Sequence, residues 1–440
     1  MVLKSILKLF GVSQEVAQSP ESLRTVQLGA VRPHDPMTAS SMPKKVLVRE
    51  EILDARCRIS GYRYRLEKAG VATKDYLDAL QRGERVKEFA KTRLAVIRLD
   101  LGQWSEADFA SLVGANTLFE IVVPPSLDAG EDWTPLLDEI RSTGAGIAMA
   151  HDAALKALGI SVEHLKLVFF DLEDHLLEDF ELQVKAFKHH SSGIRIAVEN
   201  ISSWAEQRFT LSLGAQYSLG NFVDTKDETA ESGTINQSRT IILEMLSQLR
   251  ADGSLKDLAQ VAKRDPATSL QLLTMANSPL SGFSRQLASI DQAIMTLGKE
   301  ALYRWLTMAL FRSGGDTPRM NALLEHALYR ARLLELVGGQ TLQKKDCDEL
   351  FLIGLLSYTD VLLDIPMSAV LHRMQVVEEV RSALLKNEGR LAPYLDLVKL
   401  MQRGSSDRLV SLSQSLRVGH EELLEFHAAA LEWAGTMMEA

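Results

Sequence analysis

Short apolar segments alternate with helical segments between Lys45 and Phe222, and this alternation limits the fold more than any other feature of the chain. The predicted strands are Val46–Val48, Leu94–Leu99, Leu118–Val123, Gly146–Met149, Leu165–Phe170, Ile194–Val198 and Tyr217–Phe222. The helices predicted between them include Trp133–Ser142, Asp152–Leu158 and Phe180–His189. Repeated strand–helix alternation is typical of a mostly parallel sheet, either open or closed into a barrel.

The pattern changes at Asp224–Asn236 (DTKDETAESGTIN), a polar and acidic segment that has the composition of a linker. Every segment after it has a helical pattern, and we find no convincing strand there and no internal repeat. The sequence therefore predicts two structured domains. Their limits are residues 1–44 for a short amphipathic segment and linker, 45–223 for the α/β domain, 224–236 for the interdomain linker and 237–440 for the helical domain.

Capping signals mark three helices in the helical domain. Ser254 opens the first, the pair Asp265-Pro266 opens the second and Ser289 opens the third. Gly298 is predicted to end the third helix, because glycine adopts the left-handed conformation that follows many helix ends. The second helix is predicted to turn these residues towards the core: Ala267, Leu270, Leu272 and Leu273.

Composition and charge exclude several classes of protein. A net charge of −9 over 440 residues gives no electrostatic footprint for nucleic acid. No apolar run approaches the about 18 residues of a membrane span. Cys57 and Cys347 lie far apart without CxxC spacing, so we expect neither a disulfide nor a thiolate metal site, and a reducing cytoplasm is the expected location. The common nucleotide-loop, zinc-protease and serine-hydrolase motifs are absent.

The first ten residues, Met1–Phe10 (MVLKSILKLF), place apolar side chains on one helical face. Such a segment suits docking on a membrane surface or a partner. A helix that frays or packs on its own domain is the favoured interpretation. The alternatives stay open.

The segment Arg264–Gly298 carries the runs DPATSLQLLTMANS and SIDQAIMTLG, and both closely resemble the signature of the HDOD domain, a bacterial signalling module. An ordinary helical hairpin would carry the same caps, so the order of specific residues is what favours the family. The resemblance implies a helical domain with the outline of a metal-dependent phosphohydrolase but without its His-Asp chemistry.

Two stretches of the helical domain resemble the metal-binding segments of those hydrolases. His326, in LLEHALYRARLLELVG, stands at a matching helical position. In the stretch where the hydrolases carry GLLHDIG, the His-Asp pair is replaced by Ser357 and Tyr358, and Asp360 is two residues out of register. One histidine cannot build a dinuclear site, so we predict that His326 is a hydrogen-bonded core or interface residue. Arg330, one turn later, shares its face, and both are candidate HDOD interaction residues.

The α/β domain resembles the EAL domain in seven segments: REEILDARCRISGYRYRL, VIRL, FEIVVP, GIAMAHDA, LVFFD, VENIS and LGAQYSLGNF. The resemblance implies a closed TIM-like barrel, which in that family hydrolyses cyclic di-GMP with two metal ions. The site positions that it assigns are Arg63, Arg98, Glu120, Asp171 and Glu199. Substitutions fall at Glu67, Val123, Ala150, His151, Ser202 and Leu219, and Phe169 stands at the catalytic lysine.

Substitution of two ligand positions by Arg63 and Arg98 argues against catalysis. A guanidinium stays protonated and offers no lone pair, so it repels a divalent cation instead of binding it. We predict no phosphodiesterase activity, no metal and no cofactor. The two arginines are predicted to neutralise Glu120, Asp171 or Glu199 as structural ion pairs; the alternative is that they contact the phosphates of a nucleotide directly.

The resulting functional prediction is a noncatalytic cytoplasmic signalling or scaffold protein that binds protein partners in a cyclic di-GMP-associated pathway. The barrel would receive a signal or partner, and the helical domain would present an apolar or mixed groove to an effector. A receptor that binds cyclic di-GMP without cleaving it is the first alternative. A residual phosphodiesterase is the second. The resemblance also suggests a homodimer.

Overall fold

The computed structural model describes most of the chain from residue 47 onwards. The described residues are 47–66, 71–100, 102–122, 134–151, 165–173, 177–190, 193–227, 237–251, 253–277, 287–313, 317–402 and 407–439. Several predictions concern residues outside the described ranges. They are the N-terminal segment 1–44, the helix Asp152–Leu158 and the substituted positions Glu67 and Val123.

The strands of the α/β domain close into a barrel in chain order, with β8 beside β1. They are β1 (Leu47–Asp54), β2 (Ile59–Leu66), β3 (Leu94–Asp100), β4 (Thr117–Val122), β5 (Gly146–Ala150), β6 (Leu165–Asp171), β7 (Arg195–Ile201) and β8 (Tyr217–Gly220). Strand β1 runs antiparallel to β2 and to β8, and the remaining neighbours are parallel. Of the two arrangements that the sequence allowed, the barrel is the observed one.

The barrel strands are buried on both faces, which explains their nearly continuous apolar runs. Side chains that point into the barrel form a compact inner cluster: Ile52, Leu94, Val96, Leu118, Ala148, Leu167, Phe169, Ala197 and Leu219. The opposite faces pack against the surrounding helices. Those helices are α1 (Thr73–Asp78), α2 (Val86–Phe89), α3 (Gln103–Glu106), α4 (Thr134–Ser142), α5 (Leu177–His190) and α6 (Trp204–Ser212), with a π turn at Ala79–Gly83 and 3₁₀ turns at Phe109–Leu112 and Phe222–Asp224.

From residue 237 onwards the described residues form helices only, as predicted. They are α7 (Gln237–Arg250), α8 (Leu255–Ala262), α9 (Pro266–Ala276), α10 (Ile290–Arg312), α11 (Pro318–Gly338), α12 (Lys344–Leu356), α13 (Thr359–Leu363), α14 (Met367–Met374), α15 (Glu378–Lys386), α16 (Ala392–Gln402), α17 (Asp407–Ser415) and α18 (His420–Glu439). No helix in the described part of the chain is long and apolar enough to cross a membrane.

The three predicted helix starts are confirmed by their caps. The side chains of Ser254, Asp265 and Ser289 each accept a hydrogen bond from the backbone N–H three residues later. Gly298 was predicted to end the third helix, and its non-helical backbone confirms that the helix opened by Ser289 ends there. The backbone of Gly298 turns to φ 73° and ψ 172°, and a second helical segment follows at once, so the glycine makes a kink inside α10.

The predicted buried face of α9 was partly wrong. Leu272 is buried as expected, but Leu270 is 68% exposed and Ala267 is exposed as well. The buried stripe is Thr268, Leu272 and Ala276, at spacings of four residues. Because the helix turns 100° per residue, this stripe leaves Leu270 on the opposite side, facing solvent.

The helical domain packs on the barrel wall at β1 and β2. These strands form an antiparallel pair, so no crossover helix is needed to join them. Helices α11 and α18 lie there. The rings of Tyr62 and His427 are 5.5 Å apart, and His427 Nδ1 lies 2.6 Å from the Tyr329 hydroxyl. The backbone N–H of Ile59 donates to Glu325 at 3.2 Å. One apolar core therefore runs from the barrel wall into the helical domain.

Candidate functional site

Arg63 lies inside the barrel on β2, and its side chain is 1% exposed. Its guanidinium faces the carboxylate of Glu120 on β4. Nε donates to Oε2 and Nη2 donates to Oε1, each at 2.6 Å. This fork-to-fork arrangement is the strongest geometry that an arginine and a carboxylate can adopt. Both oxygens of Glu120 are therefore engaged by a cation.

Two further carboxylates approach the same guanidinium. Nη1 of Arg63 donates to Glu199 on β7 and lies 3.4 Å from Glu50 on β1. Burial opposes the charge of Arg63, but Glu120, Glu199 and Glu50 together raise its pKa above the ordinary value. Burial raises the pKa of Glu199, and the pairing with Arg63 only partly offsets this effect. The buried cation is therefore the firmly charged member of the group.

Phe169, at the position that the resemblance gives to the catalytic lysine, packs its ring face on Arg63. The guanidinium carbon lies 4.4 Å from the ring centroid, a cation–π contact in a buried setting. Arg98 lies at the edge of this cluster. Its side chain is 40% exposed, and its Nε is 3.7 Å from Glu120.

Asp171 lies apart from the ion-pair cluster, at the rim of the barrel. Both of its carboxylate oxygens accept from the Asn200 amide at 2.8 Å. The structure thus brings Arg63, Arg98, Glu120 and Glu199 together and leaves Asp171 with a neutral partner. His151 stacks on Phe170, with centroids 4.1 Å apart, in the core of the barrel wall.

The metal ions implied by the resemblance do not fit these residues. Divalent cations in such hydrolases need several free oxygen or nitrogen ligands. Here both oxygens of Glu120 are taken by Arg63, and Glu199 bonds to the same guanidinium. Within the described residues, no group of three or more His, Cys, Asp or Glu side chains is placed to hold a metal ion.

Arg330 has a comparable place in the helical domain. Its Nη1 donates to Ser357 at 2.9 Å and its Nη2 to the Tyr358 hydroxyl at 2.7 Å, the two residues that the resemblance places at the hydrolase His-Asp pair. Nε and Nη2 also donate to Oε1 of Gln402, at 2.9 and 2.7 Å. The guanidinium lies 4.2 Å from the Tyr358 ring centroid. Sequence reasoning did not find Gln402, because it is 72 residues from Arg330.

His326 connects the two domains through Glu51 on the outer face of β1. Its Nε2 lies 3.0 Å from Glu51 Oε2, and its Nδ1 lies 2.8 Å from the Ala322 carbonyl. Burial works against protonation, but the Glu51 carboxylate prevails and raises the pKa of His326 to about 9. The pKa of Glu51 is lowered by the same pairing, against its own burial. Both ring nitrogens therefore carry protons near neutral pH and donate.

A second buried contact across the interface comes from Arg49, also on β1. It pairs with Glu84 at 3.0 Å and donates to the Met401 carbonyl on α16 at 2.7 Å. Neither Arg49 nor Glu51 was singled out from the sequence. The only available signal was their charge at alternate positions of a strand that is otherwise buried.

Arg330 and two of the carboxylates that surround Arg63 line one cavity of about 850 Å³ between the domains. Its barrel side includes Glu50, Glu199 and Asn200, and its helical side includes His326, Arg330 and Tyr358. Glu199 of the barrel site therefore shares a space with His326 and Tyr358 of the helical domain.

Fold and site define a two-domain protein: a closed α/β barrel followed by a helical domain. The helical domain matches the HDOD domain family over residues 235–386, so the chain carries an HDOD domain.

The chain spans about half the length of the curated relatives that it matches. The uncharacterized protein YuxH of Bacillus subtilis is 30% identical over 200 residues, which are 45% of this chain and 48% of that protein. The cyclic di-GMP phosphodiesterase CdgJ of Vibrio cholerae is 23% identical over 236 residues, covering 52% and 54%.

Solved structures similar to part of the chain include EAL domains. The EAL domain protein from Listeria monocytogenes is 14% identical, with a TM-score of 0.32, over 40% of this chain and 85% of that one. The EAL domain of Mycobacterium smegmatis DcpA is 15% identical, with a TM-score of 0.32, over 40% and 88%.

Proposed function

We propose that this protein is a noncatalytic signalling protein that binds protein partners in a cyclic di-GMP-associated pathway. Residues 45–223 would form a degenerate EAL-type barrel, 224–236 the linker and 237–440 the HDOD-containing helical domain. The observation that carries the proposal is the buried, two-bond ion pair of Arg63 with Glu120.

That ion pair is incompatible with two-metal hydrolysis. A metal ion would have to displace a guanidinium that is 1% exposed and held by three carboxylates. The guanidinium itself cannot act as a general acid or base at neutral pH, because its pKa is raised further. In the helical domain, Arg330 engages the residues that replace the His-Asp pair. In the barrel an arginine stands at a position that the resemblance gives to a metal ligand, and in the helical domain an arginine donates to the two residues that replace the His-Asp pair.

Turnover tests the catalytic part of the proposal. The full chain is incubated with cyclic di-GMP and either Mg²⁺ or Mn²⁺, and products are separated by chromatography. We expect no linear dinucleotide above the level of a no-protein blank. Hydrolysis that disappears in Glu120→Ala would contradict the proposal.

Exposed apolar side chains on the HDOD helices support a partner-binding role. Leu270 on α9 is 68% exposed and Met295 on α10 is 56% exposed. Single exposed apolar residues are common on protein surfaces, so these two support the proposal without proving a docking site.

The partner-binding part is tested by affinity capture from the native host with a matched pair of variants. Leu270→Glu places a charge on the HDOD surface, and Leu182→Glu places one on α5 of the barrel, where Leu182 is 67% exposed. A partner retained by the wild type and Leu182→Glu but lost by Leu270→Glu supports the proposal. Identical recoveries from both variants argue against an HDOD interface at α9.

A cyclic di-GMP receptor is the second candidate, and one observation favours it. Arg98 is 40% exposed at the edge of the ion-pair cluster and has only a 3.7 Å contact with Glu120, so it is free to turn towards a phosphate. Calorimetry with cyclic di-GMP tests this candidate. Micromolar binding that is lost in Arg98→Ala would favour the receptor over the scaffold.

A further inference from the structure

We infer that the cavity between the two domains binds a phosphate-bearing small molecule of nucleotide size, with Arg330 as the main phosphate contact. This inference goes beyond the proposed function, because it requires neither catalysis nor a protein partner. It depends on the charge balance of the cavity wall, the geometry at Arg330 and the size of the space.

The carboxylates in the cavity wall already have partners. Glu51 pairs with His326 across the domain interface. Glu199 pairs with Arg63, and Glu50 pairs with Arg65 at 2.7 Å. Asp224, which is exposed, has only the neutral Tyr358 as a side-chain partner among the described residues. The negative charge of Glu50, Glu51 and Glu199 is therefore largely neutralised from within the protein.

Arg330 differs from those groups. It is 7% exposed, and its side-chain partners are the neutral groups of Gln402, Ser357 and Tyr358. Among the residues that the structure describes, no carboxylate lies within ion-pair distance of it. The direct hydrogen-bond partners of this buried guanidinium are neutral, and Glu51 acts on it only from beyond ion-pair distance, so an anion that entered the cavity would be stabilised there.

Oε1 of Gln402 occupies the position that an oxygen of the bound anion would take. It accepts from both Nε and Nη2 of Arg330, the edge by which arginine binds carboxylates and phosphates. Gln402 is the last residue of α16 and is only partly buried. Its side chain can therefore rotate away while a phosphate oxygen takes the same two hydrogen bonds. Lys399, one turn earlier on α16, lines the same cavity and adds a second positive charge.

The size of the cavity favours a nucleotide over a free phosphate. About 850 Å³ is within the range of small-molecule sites, roughly 300–1,000 Å³, and far more than one phosphate fills. The wall beyond Arg330 offers Tyr358 from the helical domain and the polar groups of Asn200 and Thr225 from the barrel side. A ligand that spans the cavity would touch both domains.

Calorimetry on the full chain tests the inference with three probes: inorganic phosphate, GMP and cyclic di-GMP. We expect at least one nucleotide to bind about tenfold more tightly than phosphate. Arg330→Gln should weaken that binding about tenfold or more, since a charge-assisted pair is lost. Lys399→Met should weaken it by a smaller factor. Lys185→Met is the matched control, because Lys185 lies on α5 outside the cavity wall and is 63% exposed; it should leave binding unchanged.

Several outcomes would overturn the inference. They are no saturable binding of any probe, equal affinity for phosphate and nucleotides, or nucleotide binding unaffected by Arg330→Gln and Lys399→Met. Binding lost in Arg98→Ala but kept in Arg330→Gln would place the ligand in the barrel instead. If circular dichroism shows that Arg330→Gln is unfolded, Lys399→Met decides the result, because Lys399 is only partly buried.

Discussion

Arg63 holds both carboxylate oxygens of Glu120 in two parallel hydrogen bonds of 2.6 Å inside the barrel. The resemblance to EAL domains assigns these two positions to metal binding. The guanidinium brings a positive charge to this place and offers no coordination position to water or substrate. In the helical domain, Arg330 donates to Ser357 and Tyr358.

Removal of the buried cation should destabilise the barrel strongly. Arg63→Met leaves buried Glu120 with only the 3.7 Å contact to Arg98, and we expect a loss of about 3–5 kcal/mol in the free energy of unfolding, measured in urea. Adding Glu120→Leu should recover a large part of that loss, because the uncompensated charge is then removed. Arg98→Ala, at a 40% exposed side chain, should change stability by no more than about 1 kcal/mol. A double variant as unstable as the sum of the two single changes would refute the pairing.

Restoring a lysine at position 169 should not restore catalysis. Phe169→Lys would place an ammonium group where an aromatic ring now contacts Arg63 at 4.4 Å. Two buried cations side by side repel each other, so we expect lower stability than in Phe169→Leu, which keeps the site apolar. Thermal unfolding of the two variants checks the order, and a turnover assay checks activity. A Phe169→Lys protein more stable than Phe169→Leu would contradict this description of the site.

The His326–Glu51 pair should make stability depend on pH. The pKa of His326 is raised from 6.5 to about 9 on folding. The contribution of His326 to the free energy of unfolding is therefore complete below pH 6.5 and is lost as the pH rises through 9. The pKa of Glu51 is lowered, so its contribution is present above pH 4.5 and is lost on acidification. Between pH 6.5 and 9 the wild type should lose on the order of 3 kcal/mol relative to His326→Gln. Parallel pH profiles for the two proteins would show that the pair adds no stability.

Local sequence signals predicted the elements well. The strand–helix alternation gave seven of the eight barrel strands within a few residues. It missed β2 (Ile59–Leu66), and β1 extends to Asp54, beyond the predicted Val46–Val48. The caps at Ser254, Asp265 and Ser289 were visible because each depends on residues three positions apart.

Contacts between distant segments could not be predicted in the same way. Glu51 and His326 are 275 residues apart, and nothing near either residue indicates the other. The exposed position of Leu270 depends on which side of α9 meets its neighbours, and two apolar stripes were compatible with the sequence. The roles of Arg63, Arg98, Glu120, Asp171 and Glu199 remain predictions, although the structure brings four of these five side chains together.

Metal binding tests the central claim most directly. Free Mn²⁺ is followed by electron paramagnetic resonance while the full chain is titrated with the ion, and Glu120→Ala is titrated in parallel. If Arg63 has taken the metal position, neither protein should bind Mn²⁺ at micromolar concentration, and the two curves should coincide. One or more ions bound per wild-type chain at that concentration, and lost in Glu120→Ala, would contradict the claim that a guanidinium has replaced the metal.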